Sequence, residues 1–302
     1  MAKYDIALLT EAQYVNPAET DWYVDQILKE DGLVKTELEA LGYSVGKIDW
    51  ADQEQDWTDV KLCVFRTIWD YFHRYEEFSA WMNSAKSQTK FVNPIDQILW
   101  NIDKHYMQDL EKNGVPIVES YFIEKGETRT LNQIHIDLGW TKTVLKPCVS
   151  GGARHTYLIN PGNVKEHENI FSELIDNEAF MLQPFIESIT TKGEVSHIVI
   201  AGEYTHSILK KAKSGDYRVQ DDFGGSVHQY DASEVEVKFA EKVAKSCSPL
   251  PAYARVDVVW DNNNELAVGE VELIEPELWF RECPESAKKL AVEIDKRFKA
   301  LA

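Results

Sequence analysis

Two rhythms of apolar residues run along the chain. Residues 4–10, 43–48, 60–65 and 90–92 are short apolar or alternating runs and read as strands. Residues 22–41 and 75–85 carry helical spacing, the first closed by Gly42. Strand and helix alternating in this way predict a small parallel α/β layer. Further on, 100–114 reads as one helix, and Val115-Pro116-Ile117-Val118 starts a strand. Strands follow at 141–146, 155–159 and 179–183, then a hairpin of 193–200 with 204–211 turning at Ala201-Gly202-Glu203. The last pair, 254–260 and 270–276, is rich in β-branched residues and is joined across Asp261-Asn262-Asn263-Asn264.

That last pair carries candidate chemistry. Glu270 and Glu272 are two apart on a strand, so their carboxylates share a face, and antiparallel pairing with the Asp257 strand brings a third acid to it. Three oxygen donors on a rigid sheet suit Mg²⁺. The alternative is a solvated strand face in an acidic protein.

Composition narrows the classes. A chain of 302 residues fits two or three subdomains, and 44% hydrophobic with 11% aromatic content describes a soluble globular protein. A formal charge of −19 excludes a general nucleic-acid binder but leaves room for an anion in a local basic pocket. The four cysteines, Cys63, Cys148, Cys247 and Cys283, form no CxxC pair and read as reduced thiols. The amino-terminal apolar run reads as a first strand rather than a signal sequence, and no run approaches the ~18 residues of a membrane span. A cytoplasmic location is the expectation. No GxGxxG follows the first strand, and the eight histidines show no HxxxH spacing.

Against this acidic background, certain cations and glycines stand out. Arg66-Thr67-Ile68-Trp69-Asp70-Tyr71 follows the third strand, where ligands of open α/β sheets bind. Arg66 would hold a carboxylate, with Thr67, Trp69, Asp70 and Tyr71 shaping the pocket; otherwise the aromatics are core and Arg66 pairs with a surface acid. Lys146 ends a strand before Pro147, and the loop Cys148-Val149-Ser150-Gly151-Gly152-Ala153-Arg154 either presents backbone N–H groups to a phosphate or is an ordinary turn. Gln183-Pro184-Phe185 stands at a crossover suited to an adenine edge. Lys210, Gly215-Asp216-Tyr217-Arg218 and Phe223-Gly224-Gly225 either grip a triphosphate or form salt bridges, with Asp221 and Asp222 as partners of Arg218.

In this order, Asn101-x-Asp103-Lys104, Val144-Leu145-Lys146-Pro147, Ser150-Gly151-Gly152-Ala153, Gln183-Pro184-Phe185, Gly215-Asp216-x-Arg218, Asp257 and Glu270-x-Glu272 resemble the ATP-grasp proteins of glutathione-synthetase-like type, over about residues 93–280. Arg66-Thr67-x-Trp69-Asp70-Tyr71 with Glu272-Leu273-Ile274-Glu275-Pro276 is further similar to the bacterial subgroup that includes the cycloserine-forming ATP-grasp enzyme. The resemblance implies an α/β fold of three subdomains, here 1–93, 94–184 and 185–302, with ATP between two antiparallel sheets. It implies that Lys104 and Lys146 contact ATP phosphates, Lys146 the adenine side as well, and that Ser150, Gly151, Gly152 and Ala153 form a mobile loop over the phosphates. Gln183 and Phe185 would line the adenine pocket. Asp257, Glu270 and Glu272 would hold two Mg²⁺ ions, with Mn²⁺ as an alternative, and Arg218 with Lys210 would stabilise the reacting charge.

The implied reaction joins a small-molecule carboxylate to an amine through an acyl phosphate, with ADP and phosphate released. It involves neither nucleic acid nor membrane and is compatible with a homodimer. Two positions depart from the family pattern: Glu272 stands where asparagine is usual, and Glu277 where a small hydroxyl residue is expected. A catalytically silent nucleotide-binding regulator and an ATP-dependent phosphotransferase are the competing readings.

Overall fold

The first unit runs β1 (Tyr4–Thr10), α1 (Trp22–Ala40), β2 (Val45–Asp49), β3 (Val60–Thr67), α2 (Tyr75–Ala85) and β4 (Lys90–Val92). The structure, a computed structural model, describes residues 3–213, 215–219 and 224–301. These four strands form an all-parallel sheet, as the alternation predicts, and their order is β2-β1-β3-β4. Asp21 caps α1 by accepting from the Val24 amide at 2.8 Å, and Gly42, at φ 94°, takes the left-handed position just past its end. Strand alternation sorts the two faces. Ile6, Leu8 and Val64 pack with Val34 and Leu38 of α1, whereas Ala7, Leu9, Cys63 and Phe65 pack with Phe78 and Met82 of α2.

The helix expected over 100–114 is two helices, α3 (Ile95–Ile102) and α4 (Tyr106–Lys112). Asp103 is extended at φ −97°, ψ 119°, and its carboxylate accepts from the His105 amide at 3.0 Å, starting a new helix. The Lys104 amide leaves the helical ladder and donates to the Cys148 carbonyl at 2.9 Å. This break ties Lys104 to the glycine loop. Residues 115–118 make only an isolated parallel bridge, Ile117 with Val268, and the strand begins later.

The second sheet comprises β5 (Tyr121–Ile123), β6 (Thr143–Pro147), β7 (Tyr157–Ile159) and β8 (Phe180–Pro184), antiparallel in the order β5-β8-β6-β7. The helices α5 (Leu131–Leu138) and α6 (Val164–Ile175) cover it, burying Ile134 and Phe171 against Leu145, Phe180 and Leu182.

After the single turn α7 (Ser188–Thr191), the third sheet is built from β9 (Glu194–Ile200), β10 (Glu203–Lys211) and β11 (Ser226–Gln229). The helix α8 (Glu234–Ser246) leads to its remaining strands, β12 (Tyr253–Trp260) and β13 (Leu266–Glu272). The strands are antiparallel in the order β11-β10-β9-β12-β13. A capping box, Ser233 with Glu236, starts α8, whose Ala240, Val243 and Ala244 pack on Val256 and Val258. The last helix, α9 (Glu285–Lys299), packs against α1, and its Leu290 and Ile294 join the core around Leu8 and Leu38. The carboxyl-terminal segment is therefore built into the first unit's core. All four cysteines are free. Among the described residues no helix is long and apolar enough to cross a membrane.

Candidate active site

The second and third sheets face each other across a cavity of about 270 Å³. Register decides what points into it. On β12 and β13, Asp257 stands opposite Glu270 and Arg255 opposite Glu272, with a bulge after Asp257. Arg255 and Asp257 are two apart on one strand, as Glu270 and Glu272 are on the other, so all four share one face. Each carboxylate there has an organic cation. Lys104 Nζ lies 2.8 Å from Glu270, Lys210 Nζ 3.2 Å from Asp257, and Arg255 reaches Asp257 at 2.9 Å as well as Glu272. Lys210 is also 2.5 Å from Glu194, its register partner on β9. Ser196 donates a hydrogen bond to Asp257.

The opposite wall comes from the second sheet. Lys146 on β6 has no carboxylate within ion-pair distance among the described residues, whereas Lys104 Nζ donates to the Ser150 carbonyl at 2.9 Å. Ser150, Gly151, Gly152 and Ala153 all line the cavity, and Gly152 and Ala153 sit at φ 56° and 58°. Consecutive left-handed residues turn successive amides along one side of a loop. Gly151 is held by space as well: an added Cβ would lie 2.6 Å from the Phe72 ring. At the other end, Gln183 is buried and donates to Ser120 Oγ at 2.9 Å, and Phe185 is buried beneath Lys142 Nζ, 3.6 Å above its ring. Arg218 lines the cavity while forking onto Asp216 at 2.8 and 3.1 Å. Asp221, Asp222 and Phe223 lie outside the described residues.

The Arg66–Tyr71 segment is divided: Tyr71 lines the main cavity, whereas Arg66, Thr67 and Trp69 border a separate small recess with Pro276 and Glu277. Arg66 is 1% exposed and spends its guanidinium on Glu30 at 2.7 Å and Asp31 at 3.2 Å, so it is not placed to hold a ligand carboxylate in the main cavity. Thr67 bonds Thr10 at 2.6 Å, Asp70 accepts from Trp50 and Arg74 at 2.7 Å, and Trp69 donates to the Glu275 carbonyl at 2.9 Å. Of the five residues expected to form the pocket, only Tyr71 lines the main cavity. Arg66 pairs with acids, as the alternative reading had it, but with two buried ones from α1, 35 and 36 positions away, a pairing that no local pattern carries.

Residues 105–283 match the family described as RimK-like ATP-grasp domain. This chain belongs to that family. Residues 6–93 match the family described as D-cycloserine synthetase DcsG, N-terminal domain. The cycloserine biosynthesis protein DcsG of Streptomyces lavendulae is 27% identical over 282 residues, spanning 86% of this chain and 90% of that protein. Among solved structures, D-cycloserine synthetase DcsG matches with a TM-score of 0.85 at 24% identity, over 97% of this chain and 99% of its own. D-alanine–D-alanine ligase from Bacillus anthracis matches with a TM-score of 0.65 at 13% identity, over 98% of each chain. The α/β fold with two antiparallel sheets is thus that of ATP-grasp ligases, a family that in general uses ATP and Mg²⁺.

The ATP-grasp cavity is electrostatically divided. Burial works against the charge of Asp257, but Arg255 and Lys210 outweigh it and hold the group well below the usual carboxylate range. Burial likewise opposes Glu270, and Lys104 with Lys146 keep it lowered. Glu272 goes the other way: burial, only partly offset by Arg255, pushes it up to about 7. Burial and then the Glu272 charge push Glu275 up to about 8. Burial lowers Lys146, and neighbouring Lys104 adds to the effect. Three carboxylates on one face offer hard oxygen donors of the kind a divalent ion takes, and in this structure each is paired with a lysine or arginine instead of being drawn together with the others.

Sequence reasoning missed Arg255, Glu194, Glu275 and Trp279. Arg255 was legible by the same two-residue rule that found Glu270 and Glu272, since it stands two before Asp257. Trp279, at φ 46°, lies with its ring 5.3 Å from the Arg255 guanidinium and 5.8 Å from Lys210 Nζ. Nothing in its local sequence announced that contact.

Proposed function

We propose that this ATP-grasp protein joins a small amino-acid-like carboxylate to an amine, forming a carbon–nitrogen bond through an acyl phosphate with release of ADP and phosphate. The observation that carries the reading is the register of β12 with β13, which sets Asp257, Glu270 and Glu272 on one face opposite Lys104 and Lys146. In this reading the chain acts as units 1–93, 94–184 and 185–302, with ATP between the second and third sheets. Gln183 and Phe185 border the adenine, and Lys104 and Lys146 exchange carboxylates or solvent for phosphate oxygens. Residues 150–153 close over those oxygens with their amides.

Asp257, Glu270 and Glu272 would hold two Mg²⁺ ions, which supply neutralisation of phosphate charge. With those carboxylates on metal, Arg255 and Lys210 would be free to turn toward the substrate. With Arg218 released from Asp216, these cations stabilise charge that develops on the acyl phosphate and on the tetrahedral centre formed by the amine. Positioning and charge neutralisation supply the catalysis, so no Ser-His-Asp set is required.

The test offers the protein ATP, Mg²⁺ and a panel of amino acids and dipeptides, with hydroxylamine as trapping nucleophile. A hydroxamate formed together with ADP is the expected result. ADP release with a phosphorylated product and no hydroxamate would assign a phosphotransferase, and no ADP release with any panel member would leave only a nucleotide binder.

A further inference from the structure

Two segments far apart in the chain meet beside the main cavity. Lys104 and Ser150 line that cavity, whereas Asp103, His105 and Cys148 do not. Asp103 and His105 flank Lys104 where the helix breaks, and the Lys104 amide donates to the Cys148 carbonyl at 2.9 Å. The second sheet fixes the other side. Ile123 ends β5, Pro147 ends β6, and both pair with Phe180 at the start of β8, so Glu124 and Cys148 leave the sheet at the same end. The Cys148 amide donates to the Ala179 carbonyl at 2.9 Å, which anchors the cysteine from both sides.

Asp103, His105 and Cys148 each offer one ligand atom, and the three atoms lie within 4.8 Å of one another, the one such set among the described residues. Their surroundings point the same way. His105 Nδ1 is 2.5 Å from Asp103 Oδ1 and Nε2 is 3.2 Å from Glu124 Oε1, while the ring stacks on Phe122 with centroids 4.4 Å apart. A carboxylate only accepts, so each contact uses a ring N–H. A metal ion on Nδ1 takes the place of one of these hydrogens, and Glu124 keeps the other and orients the ring. Neither Asp103 nor Glu124 is ion-paired to a lysine or arginine among the described residues, unlike Asp257, Glu270 and Glu272. Lys104 Nζ is turned to Glu270 and the Ser150 carbonyl. Cys148 is 2% exposed, and its Sγ has no hydrogen-bond partner among the described residues.

The structure assigns Asp103, His105 and Cys148 as the ligands of one zinc-class divalent ion, with Glu124 positioning the imidazole and water completing the shell. Nitrogen and sulfur donors select that class over Mg²⁺, which takes oxygen. At zinc bond lengths of about 2.0–2.3 Å, tetrahedral ligand atoms stand about 3.3–3.6 Å apart. The Asp103–His105 contact has to open by about 1 Å and the sulfur to close by about 1.5 Å at most, both within reach of side-chain rotation. Burial pushes the Cys148 thiol up, so it keeps its proton until an ion arrives, and a coordinating thiol loses that proton outright. The hydrogens of Sγ and Nδ1 pass to water. The ion ties the start of α4 to the residue that opens the glycine loop. It uses none of the side chains proposed for ATP or Mg²⁺, and the inference stands apart from the ligase reading.

The test is a Co²⁺ titration of the reduced full chain in excess Mg²⁺, read by absorption, with Zn²⁺ as competitor. The wild type should take up one Co²⁺ with a thiolate-to-cobalt charge-transfer band in the near ultraviolet, which carboxylates alone do not give, and Zn²⁺ should erase it. C148S should abolish the band, and C283S should keep it. H105Q should weaken Co²⁺ by more than about 10-fold, and E124Q, at an exposed side chain whose loss does not threaten the fold, on the order of 10-fold. E270Q should leave the band and its midpoint unchanged. Absence of the band in the wild type overturns the proposal. So does a band that survives in C148S, or H105Q and E124Q proteins that bind Co²⁺ as tightly as the wild type. Loss of the band in E270Q also overturns it, because the ion would then sit in the main cavity.

Discussion

Replacing Glu270 by glutamine removes one negative charge from a place where two lysines depend on it. Lys104 Nζ is 2.8 Å away and its side chain is 7% exposed, while Glu270 itself is 31% exposed. Deleting one partner of a fully buried pair costs about 3–5 kcal/mol. Lys104 keeps its bond to the Ser150 carbonyl, the amide oxygen still accepts, and cavity water screens the site, which brings the expected loss to about 1–2 kcal/mol. At about 2–4 °C per kcal/mol for chains of this size, the ligand-free Tm should fall by roughly 2–8 °C. ATP without metal should recover much of that loss, because its phosphates offer Lys104 and Lys146 the anion they lack. Turnover should fall at least on the order of 10²-fold, and added Mg²⁺ should no longer tighten ATP. The assay is thermal melting with and without ATP and Mg²⁺, alongside ADP release. Mg²⁺-dependent ADP production near the wild-type rate would refute the metal assignment. An unchanged ligand-free Tm would refute the ion-pair account.

Arg218→Ala should lower kcat on the order of 10²-fold with a much smaller change in ATP affinity, and lysine should rescue it only partly; parallel loss of ATP binding would make Arg218 a ground-state phosphate ligand. Gly151→Ala should weaken ATP binding because its Cβ meets Phe72 at 2.6 Å, and protease cutting within 148–156 should decrease when ATP and Mg²⁺ are added to the wild type; a loop indifferent to nucleotide argues for a static turn. His197, fully buried with Nδ1 2.7 Å from Ser207 Oγ, has its pKa lowered by burial from 6.5 to about 4. Between those values the unfolded chain binds more protons, so its contribution is complete above pH 6.5 and is lost as pH falls toward 4. The loss is on the order of 3 kcal/mol and is read as a steeper acid fall in Tm for the wild type than for His197→Gln.

The sequence by itself determined what depends on near neighbours. Period-two alternation marked most of the strands, and the parallel sense of the first sheet followed from strand alternating with helix. Glu270 and Glu272 had to share a face whatever they packed against. The ordered motifs pointed to Lys104, Lys146, the glycine loop, Gln183, Phe185, Lys210 and Arg218, all of which line one cavity. Tertiary structure decided the pairings. Asp257 meets Glu270 only because β12 and β13 adopt one register, and a slip of one residue would turn that face away. The helix over 100–114 breaks because the Lys104 amide finds the Cys148 carbonyl, a competitor 44 positions distant that helical periodicity cannot register. Arg66 is consumed by α1, and Trp69 holds Glu275 from 206 residues away. Side-chain parity is a property of the local backbone, but which cation neutralises which acid is set by strand order and register, and those exist only once the three sheets have packed.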